Sequence, residues 1–440
     1  MKRTAIVLFI IFNGFQAGRA WAQAPVVRLT LPEAIARGVD TSHRLAELGA
    51  RGEAAKAVQD QRKAAEMPLL ALLAGYSRTN HVQEFGVPIP GDGLRVIYPD
   101  VPDNYRARVD FQWPIYTAGR TTALVKAAAA EADAIAQDRD AARGDLKLEI
   151  TRAYWSVITA NAAVDVVRQA LSRIGAHLSD VKNQLSVGLI PPSDVLSVEA
   201  QQARQQMLAI EAENMVETAS TDFRRLVGLP PETPFALADV MQPPAAPPKE
   251  IAALIDTARS TRAERRALEI RIGGAGERVS AAAAGRKPML MSVGGYDLAR
   301  PNPRIFPREA VWKPSWDLGV NVNWPLFDGG RVRAEMAEAD ANRRAISERL
   351  KEFDTTVDAE VRQRVTDLVS AEATIVASEV GVRSAAEARR VLAERFAAGV
   401  ATNTDVLDAQ VALLQAELDC TRAIANAQLA SARLERALGR

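Results

Sequence analysis

The sequence predicts a mainly α-helical chain that also carries transmembrane β-strands. Three observations predict it. The chain is one unit built twice, each copy holds a proline-free run of 68 residues, and each copy contains a strand that alternates strictly between apolar and polar side chains.

The duplication is clearest at Gly188-Leu189-Ile190-Pro191-Pro192-Ser193-Asp194-Val195-Leu196 and its echo 211 residues later, Gly399-Val400-Ala401-Thr402-Asn403-Thr404-Asp405-Val406-Leu407. Both stretches have the chemistry of a tight helix-to-helix turn. Gly188 and Gly399 stand where a helix ends in a left-handed residue, which only glycine adopts without steric cost. Ser193 and Thr404 stand where a hydroxyl accepts from the free N–H groups of the next helix. Asp194 and Asp405 follow in its first turn, where the helix dipole favours an anion. The same offset takes Trp113-Pro114-Ile115-Tyr116 to Trp324-Pro325-Leu326-Phe327, and Gly119-Arg120 to Gly330-Arg331. Nearer the start of each half the offset is 220, taking Pro68 to Pro288 and Tyr76 to Tyr296, so the first copy has nine extra residues between Tyr76 and Trp113. The expected organisation is a leader at 1–22, a first repeat at 23–230, a proline-rich linker at 231–250 midway along a rod, and a second repeat at 251–440. Each repeat reads as helix, two strands, long helix, tip and return helix.

With 48% hydrophobic side chains over 440 residues, the chain has enough apolar surface for a large core or interface. Residues 1–22 read as a secretory leader: Lys2 and Arg3, an apolar run from Ala5 to Phe12, and Ala20-Trp21-Ala22 as the cleavage site. Removing it takes away Lys2, Arg3 and Arg19, leaving 52 basic against 54 acidic residues. That balance offers no bulk attraction for nucleic acid. No cysteine follows the leader, so no lipid anchor is expected, and Cys420 reads as a small apolar packing residue in a helix. No later segment has the ~20 uninterrupted apolar residues of a membrane-crossing helix, which leaves β-strands as the route into a membrane.

In chain order, 31 to about 66 reads as one helix with Pro32 in its first turn, stopped by Pro68. The clearest strand follows a turn-rich stretch: Tyr105, Ala107, Val109, Phe111 and Trp113 face one way, against Arg106, Arg108, Asp110 and Gln112. Its echo sets Trp316, Leu318, Val320, Val322 and Trp324 against Asp317, Gly319, Asn321 and Asn323. Such alternation also suits a surface strand of a soluble sheet. Here, though, Tyr105, Trp113, Trp316 and Trp324 mark the strand ends, where a membrane strand of ~9–11 residues places its interfacial aromatics. Partner strands are expected near 69–77 and 289–297.

From Arg120 to Val187, and from Arg331 to Ala398, there is no proline. A helix of that length spans roughly 100 Å. A heptad runs through Ile150, Val157, Val164, Leu171, Leu178 and Leu185, the mark of coiled-coil packing. In the second copy Val361, Leu368, Ile375, Val382 and Phe396 keep the seam, and Arg389 interrupts it. The return helices, about 193–227 and 404–438, are half as long. One stacked end to end on an opening helix, 31–66 or 251–286, matches one long helix.

Four strands cannot close a barrel, and open sheet edges are not tolerated in lipid, so closure requires association of chains. At this point the chain resembles the TolC family of outer-membrane efflux proteins. The likeness rests on the leader, the two-fold repeat, alternating strands ending in W-P-[IL]-[YF]-x-x-G-R, and the paired G-x(5)-D-V-L turns, and it covers roughly 31–440. It implies a homotrimer with a 12-stranded β-barrel, four strands per chain, in outer-membrane lipid. Below it a long α-helical coiled-coil barrel would cross the periplasm as the exit duct of a tripartite efflux or type I secretion system. Its partners would be a periplasmic adaptor docking at the helical tips and an inner-membrane pump of the RND, ABC or MFS type.

The tip residues that this resemblance assigns to docking are Gly188, Leu189, Ser193, Asp194, Val195, Gly399, Val400, Thr404 and Val406. The family's aspartate ring at the periplasmic entrance falls on Asp405 and Asp408, which share a helix face at i, i+3. The tyrosine and arginine that tie the entrance shut in other members are replaced here by Phe396 and Ala401. Closure must therefore use packing or a different ion pair. The alternative is a periplasmic coiled-coil adaptor, which has one hairpin and a membrane anchor where this chain has two hairpins. An enzyme is not expected. His43, His81 and His177 are scattered, read as exposed helix or loop residues, and form no metal-ligand spacing. No cofactor is expected, and nothing selects among drugs, metal ions and polypeptides as cargo.

Overall fold

A computed structural model describes residues 26–91, 93–245 and 250–440. The leader at 1–22 and part of the proline-rich linker lie outside them. The first repeat runs β1 (Val27–Leu29), α1 (Leu31–Thr41), α2 (His43–Ala64), β2 (Leu69–Arg78), a hairpin of β3 (Phe85–Ile89) and β4 (Gly93–Tyr98), β5 (Asp103–Tyr116), α3 (Arg120–Ser186) and α4 (Pro192–Leu226). After β6 (Phe235–Leu237), the second repeat runs α5 (Ile251–Thr261), α6 (Ala263–Ala283), β7 (Met289–Arg300), β8 (Lys313–Asn323), α7 (Arg331–Ala397) and α8 (Asn403–Ala437).

Both long helices have 67 residues, which at ~1.5 Å per residue makes each about 100 Å long. Each starts after a left-handed glycine, Gly119 or Gly330, that turns the chain from strand into helix. The heptad seam of α3 is buried where the repeat places it: Ile150 and Ile174 are 0% exposed, Val157 3%, Val167 3% and Val181 0%. Side by side the helices run α4, α3, α8, α7, so α3 is covered by both hairpins while α7 has α8 on one side only.

The four-stranded sheet is antiparallel in the order β2-β5-β7-β8, which joins the repeats through β5 and β7. Tyr76 pairs with Tyr105, and Tyr296 with Trp316. The nine extra residues of the first copy therefore lie in the connection that carries the β3–β4 hairpin, a feature the turn-rich sequence did not disclose. Among the described residues the outer edges of β2 and β8 have no strand partner.

The opening helices differ from the single helices expected. Each is broken, at Ser42 and at Arg262, where the backbone becomes extended. The Ser42 side chain accepts from the Leu45 N–H and starts α2. The breaks receive the ends of the return helices. Arg37 Nε donates to the Val227 carbonyl at 3.0 Å, and Arg262 Nε donates to the Ala437 carbonyl at 2.9 Å. Each arginine thus satisfies a helix-end carbonyl that has no partner in its own helix. At the same level β1 pairs in parallel with β6, and Tyr154 donates to Asp239 Oδ2 at 2.6 Å inside a core of Ile150, Phe223 and Val227.

Candidate functional site

Two ends of the molecule carry the residues singled out by sequence: the paired helical tips and the faces of the sheet. The tips share one geometry. Gly188 and Gly399 both have φ of 75°. Leu189 N–H reaches back to the Gln184 carbonyl at 3.0 Å, and Val400 N–H to the Arg395 carbonyl at 2.9 Å. This closes the helix with a left-handed residue, as the glycine spacing requires.

The start of each following helix differs from expectation. Ser193 and Thr404 lie two residues too deep to cap. The caps are Pro191, which makes no side-chain bond, and Thr402, whose hydroxyl accepts from the Asp405 N–H. Pro192 at the first helical position presets the helical φ, and the Asp194 N–H is served by the Pro191 carbonyl at 3.1 Å. At the second tip the Asp405 carboxylate accepts from the Thr402 N–H at 2.8 Å and its hydroxyl at 2.7 Å. Those bonds, the hydroxyl's first, hold the Asp405 carboxyl below its ordinary range. Asp408 is exposed one turn on and makes no hydrogen bond or ion pair among the described residues.

Leu189 is 73% exposed and Val400 62%, and Val187 and Leu196 stand out with them. Val195 and Val406, expected among the docking residues, are buried and pack inside the helices. They occupy inward positions of α4 and α8, so they support the tips from within. Gly188, Ser193, Asp194, Gly399 and Thr404 are at the surface or partly so.

The two hairpins are joined behind the tips by residues that sequence reasoning missed. His177 is buried, and its Nε2 lies 2.9 Å from Asn403 Oδ1. Asn403 Nδ2 donates to the Asp194 carbonyl at 3.2 Å. Phe396 packs edge-on against the His177 ring, with centroids 5.3 Å apart. Above them Arg173 binds Glu417 at 2.7 Å. His177 reads as an exposed histidine by sequence. Its position beside Leu178 on the buried seam was the available signal. Phe396 thus packs against the other hairpin through the His177 ring, and the Arg173–Glu417 pair ties the same two hairpins farther from the tips.

At the sheet, Trp316, Leu318, Val320 and Val322 are 73%, 69%, 58% and 64% exposed on one face. Tyr105 stacks near Tyr76 and Trp312 at one end of that face. At the other end Trp113 and Trp324 are exposed, and their indole N–H groups donate to the carbonyls of Glu66 and Arg286, each at 3.2 Å. The repeat is therefore kept even in these bonds. The opposite face is polar. Arg108 crosses over Gly295, where a Cβ would fall 2.6 Å from its guanidinium, and reaches Asp317 at 2.9 Å. Arg106 binds Asp297 and Arg304 binds Asp317, so three arginines balance Asp110, Asp297 and Asp317.

The family described as Outer membrane efflux protein matches residues 37–229 and 254–440, both repeats nearly in full. The chain belongs to that family. Protein CyaE of Bordetella pertussis is 27% identical over 386 residues, covering 87% of this chain and 78% of CyaE. Outer membrane protein TolC of Vibrio cholerae is 24% identical, covering 100% of this chain and 96% of TolC. Among solved structures, the outer-membrane channel OprN superposes with a TM-score of 0.77 at 20% identity, over 93% of this chain and 89% of OprN. VceC from Vibrio cholerae superposes at 0.75 with 22% identity, over 93% and 96%. At these identities the likeness shows the fold alone, long paired helices continued by a sheet. Among the described residues no helix is long and apolar enough to cross a membrane. For this family member the sheet is the element with an apolar face.

Proposed function

We propose that this chain is the outer-membrane exit duct of a tripartite efflux or type I secretion system. Three copies close a 12-stranded barrel in the outer membrane, and their helices form a periplasmic barrel that docks on an adaptor and receives cargo from an inner-membrane pump. The carrying observation is the sheet: one exposed apolar face, one polar face, and two edge strands without partners. In lipid such edges demand pairing with another copy, β8 of one against β2 of the next.

The helices support the same closure. Val369, Val376, Val380 and Val391 are exposed on α7, and Leu196, Met207, Ile210 and Met215 on α4. These stripes lie on the two outermost helices of the row, where neighbouring copies would meet. The exposed tip residues Leu189 and Val400 offer the adaptor an apolar contact. The adaptor alternative has less support, because it leaves the second hairpin and the four-stranded sheet without a use. Three copies of Asp408, with Asp405 behind, would make the entrance negative and cation-selective.

The test is conductance of the purified protein in planar bilayers, with its mass in detergent measured alongside. A trimer with small cation-selective openings supports the duct, and a non-conducting monomer sinks it. Asp408→Ala is expected to weaken block by multivalent cations. Unchanged block would remove Asp408 from the ring.

A further inference from the structure

The structure assigns His177 a role as an acid-released latch that holds the two hairpins together at the entrance. This rests on the reading of the tips as a closed entrance.

One side-chain pair touches all four long elements there. His177 belongs to α3, Asn403 is the first residue of α8, the Asp194 carbonyl lies in the first turn of α4, and Phe396 lies in the last turn of α7. His177 is 7% exposed and Asn403 5%. The protonation of the ring follows from the bonds. A backbone carbonyl only accepts, so the Asn403 side chain must turn its NH2 to Asp194 and its Oδ1 to the ring. Oδ1 also only accepts, so His177 Nε2 carries the hydrogen and donates. In the neutral ring Nδ1 is then bare, and an added proton must go there.

Among the described residues no carboxylate, those of Asp180 and Asp194 included, forms an ion pair with the ring. The ring packs on Phe396, and its helix neighbours Ile174, Leu178 and Val181 belong to the buried apolar cluster behind the tips. The charged groups of the surrounding turns are engaged elsewhere or make no pair with the ring. On α3, Arg173 is held by Glu417 of α8 and Lys182 by Glu199 of α4, and Asp180 is exposed. Asp194 of α4 uses its carbonyl, and Arg389 and Arg395 of α7 add only positive charge. On α8, Asp405 is bound to Thr402 and Asp408 is exposed. A buried cation without a partner is unfavourable, so acid favours the arrangement in which the hairpins part and water reaches the ring. Asp405, whose carboxyl Thr402 holds below its ordinary range, is neutralised only at lower pH, and that change lowers cation selectivity without parting the hairpins.

The experiment compares the wild-type protein with His177→Gln and Asn403→Ala in planar bilayers at about pH 7.5 and about pH 5.5. Wild type is expected to raise its open-to-closed ratio by about tenfold on acidification, a change within what one titrating group supplies over two pH units. His177→Gln keeps an amide donor and loses the titration, so it is expected to stay low at both values. Asn403→Ala is expected to be high at both. An acid rise in His177→Gln equal to that of wild type overturns the latch. Amide exchange at 185–195 and 396–403 is read in parallel at each pH. If exchange rises with acid in wild type alone while no variant conducts, the latch stands and the duct reading falls. If His177→Gln does not fold, His177→Asn is read the same way.

Discussion

The two hairpins are copies of one sequence unit, yet they live in different surroundings. Helix α3 has buried residues from Ala123 to Val181, whereas α7 has none after Ile375. The reason is position. In the row α4, α3, α8, α7, the first long helix is interior and the second is at the edge. On α7, Val376 and Val380 stand 64% and 48% exposed at the spacing of a packing seam, with Arg389 half-buried below them. A coiled-coil helix stripped of one neighbour looks like this. In the proposed trimer these apolar residues of α7 would meet the next copy.

The strongest way to break the comparison is to place the same charge on both seams. Val164 is 6% exposed, and Val164→Glu buries an unpaired carboxylate among α3, α4 and α8, at a cost of about 4 kcal/mol or more. Thermal melting followed by circular dichroism is expected to show a large loss of stability. Val376→Glu meets water in the single chain, so its effect on protomer folding is expected within about 0.5 kcal/mol. Its expected defect is assembly, seen as loss of the trimer mass in detergent. Equal melting losses in the two variants would mean that α7 is as enclosed within the protomer as α3.

This contrast explains what was legible in the sequence. Proline-free runs, left-handed glycines at the tips and alternating strands are local signals, and each marks an element that exists. The breaks at Ser42 and Arg262 were not legible, because they depend on the ends of α4 and α8 arriving from far along the chain. The tip chemistry was half legible. The sequence of Asp405 and Asp408 pointed to a negative patch, but Thr402 and not Thr404 caps α8, a shift of half a turn that two hydroxyls in three residues could not decide. His177 was missed because its burial comes from the other hairpin. The inner-face chain through Arg108, Gly295 and Asp317 spans three strands, and no single strand pattern announces it.

A smaller difference separates the two waist joints. Gly228 has φ of 64°, and a Cβ there would lie 2.5 Å from Thr41 Oγ1. Gly439 has φ of 78°, and its Cβ would meet Thr261 Oγ1 at 3.0 Å. Both alanine variants carry left-handed strain of about 1–2 kcal/mol. Gly228→Ala adds a steric overlap with a β-branched side chain, so its total is expected near 2–4 kcal/mol. Chemical denaturation is expected to rank Gly228→Ala as the more damaging. The reverse order would show that Thr41 rotates away freely and that the first joint is the looser one.

The smallest expected effect lies at the tips themselves, where the copies diverge in capping. Thr402→Ala removes the hydroxyl that accepts from the Asp405 N–H at 3.2 Å, a loss of about 1 kcal/mol in the first turn of α8. Ser193→Ala, at the corresponding end of α4, is expected to change nothing, because Pro191 makes no side-chain cap to lose. The pH dependence has a definite sign. The Asp405 carboxyl is held below its usual 3.8 by Thr402, so its contribution is full above that value and is lost as pH falls through the lowered one. Amide exchange of 402–406 followed from about pH 5 to about pH 3 is therefore expected to show acid loosening in the parent protein and less of it in Thr402→Ala, which keeps only the backbone bond to Asp405. Since the His177 latch works at higher pH, loosening of the second tip that persists unchanged in Thr402→Ala would have to come from outside the hydroxyl cap.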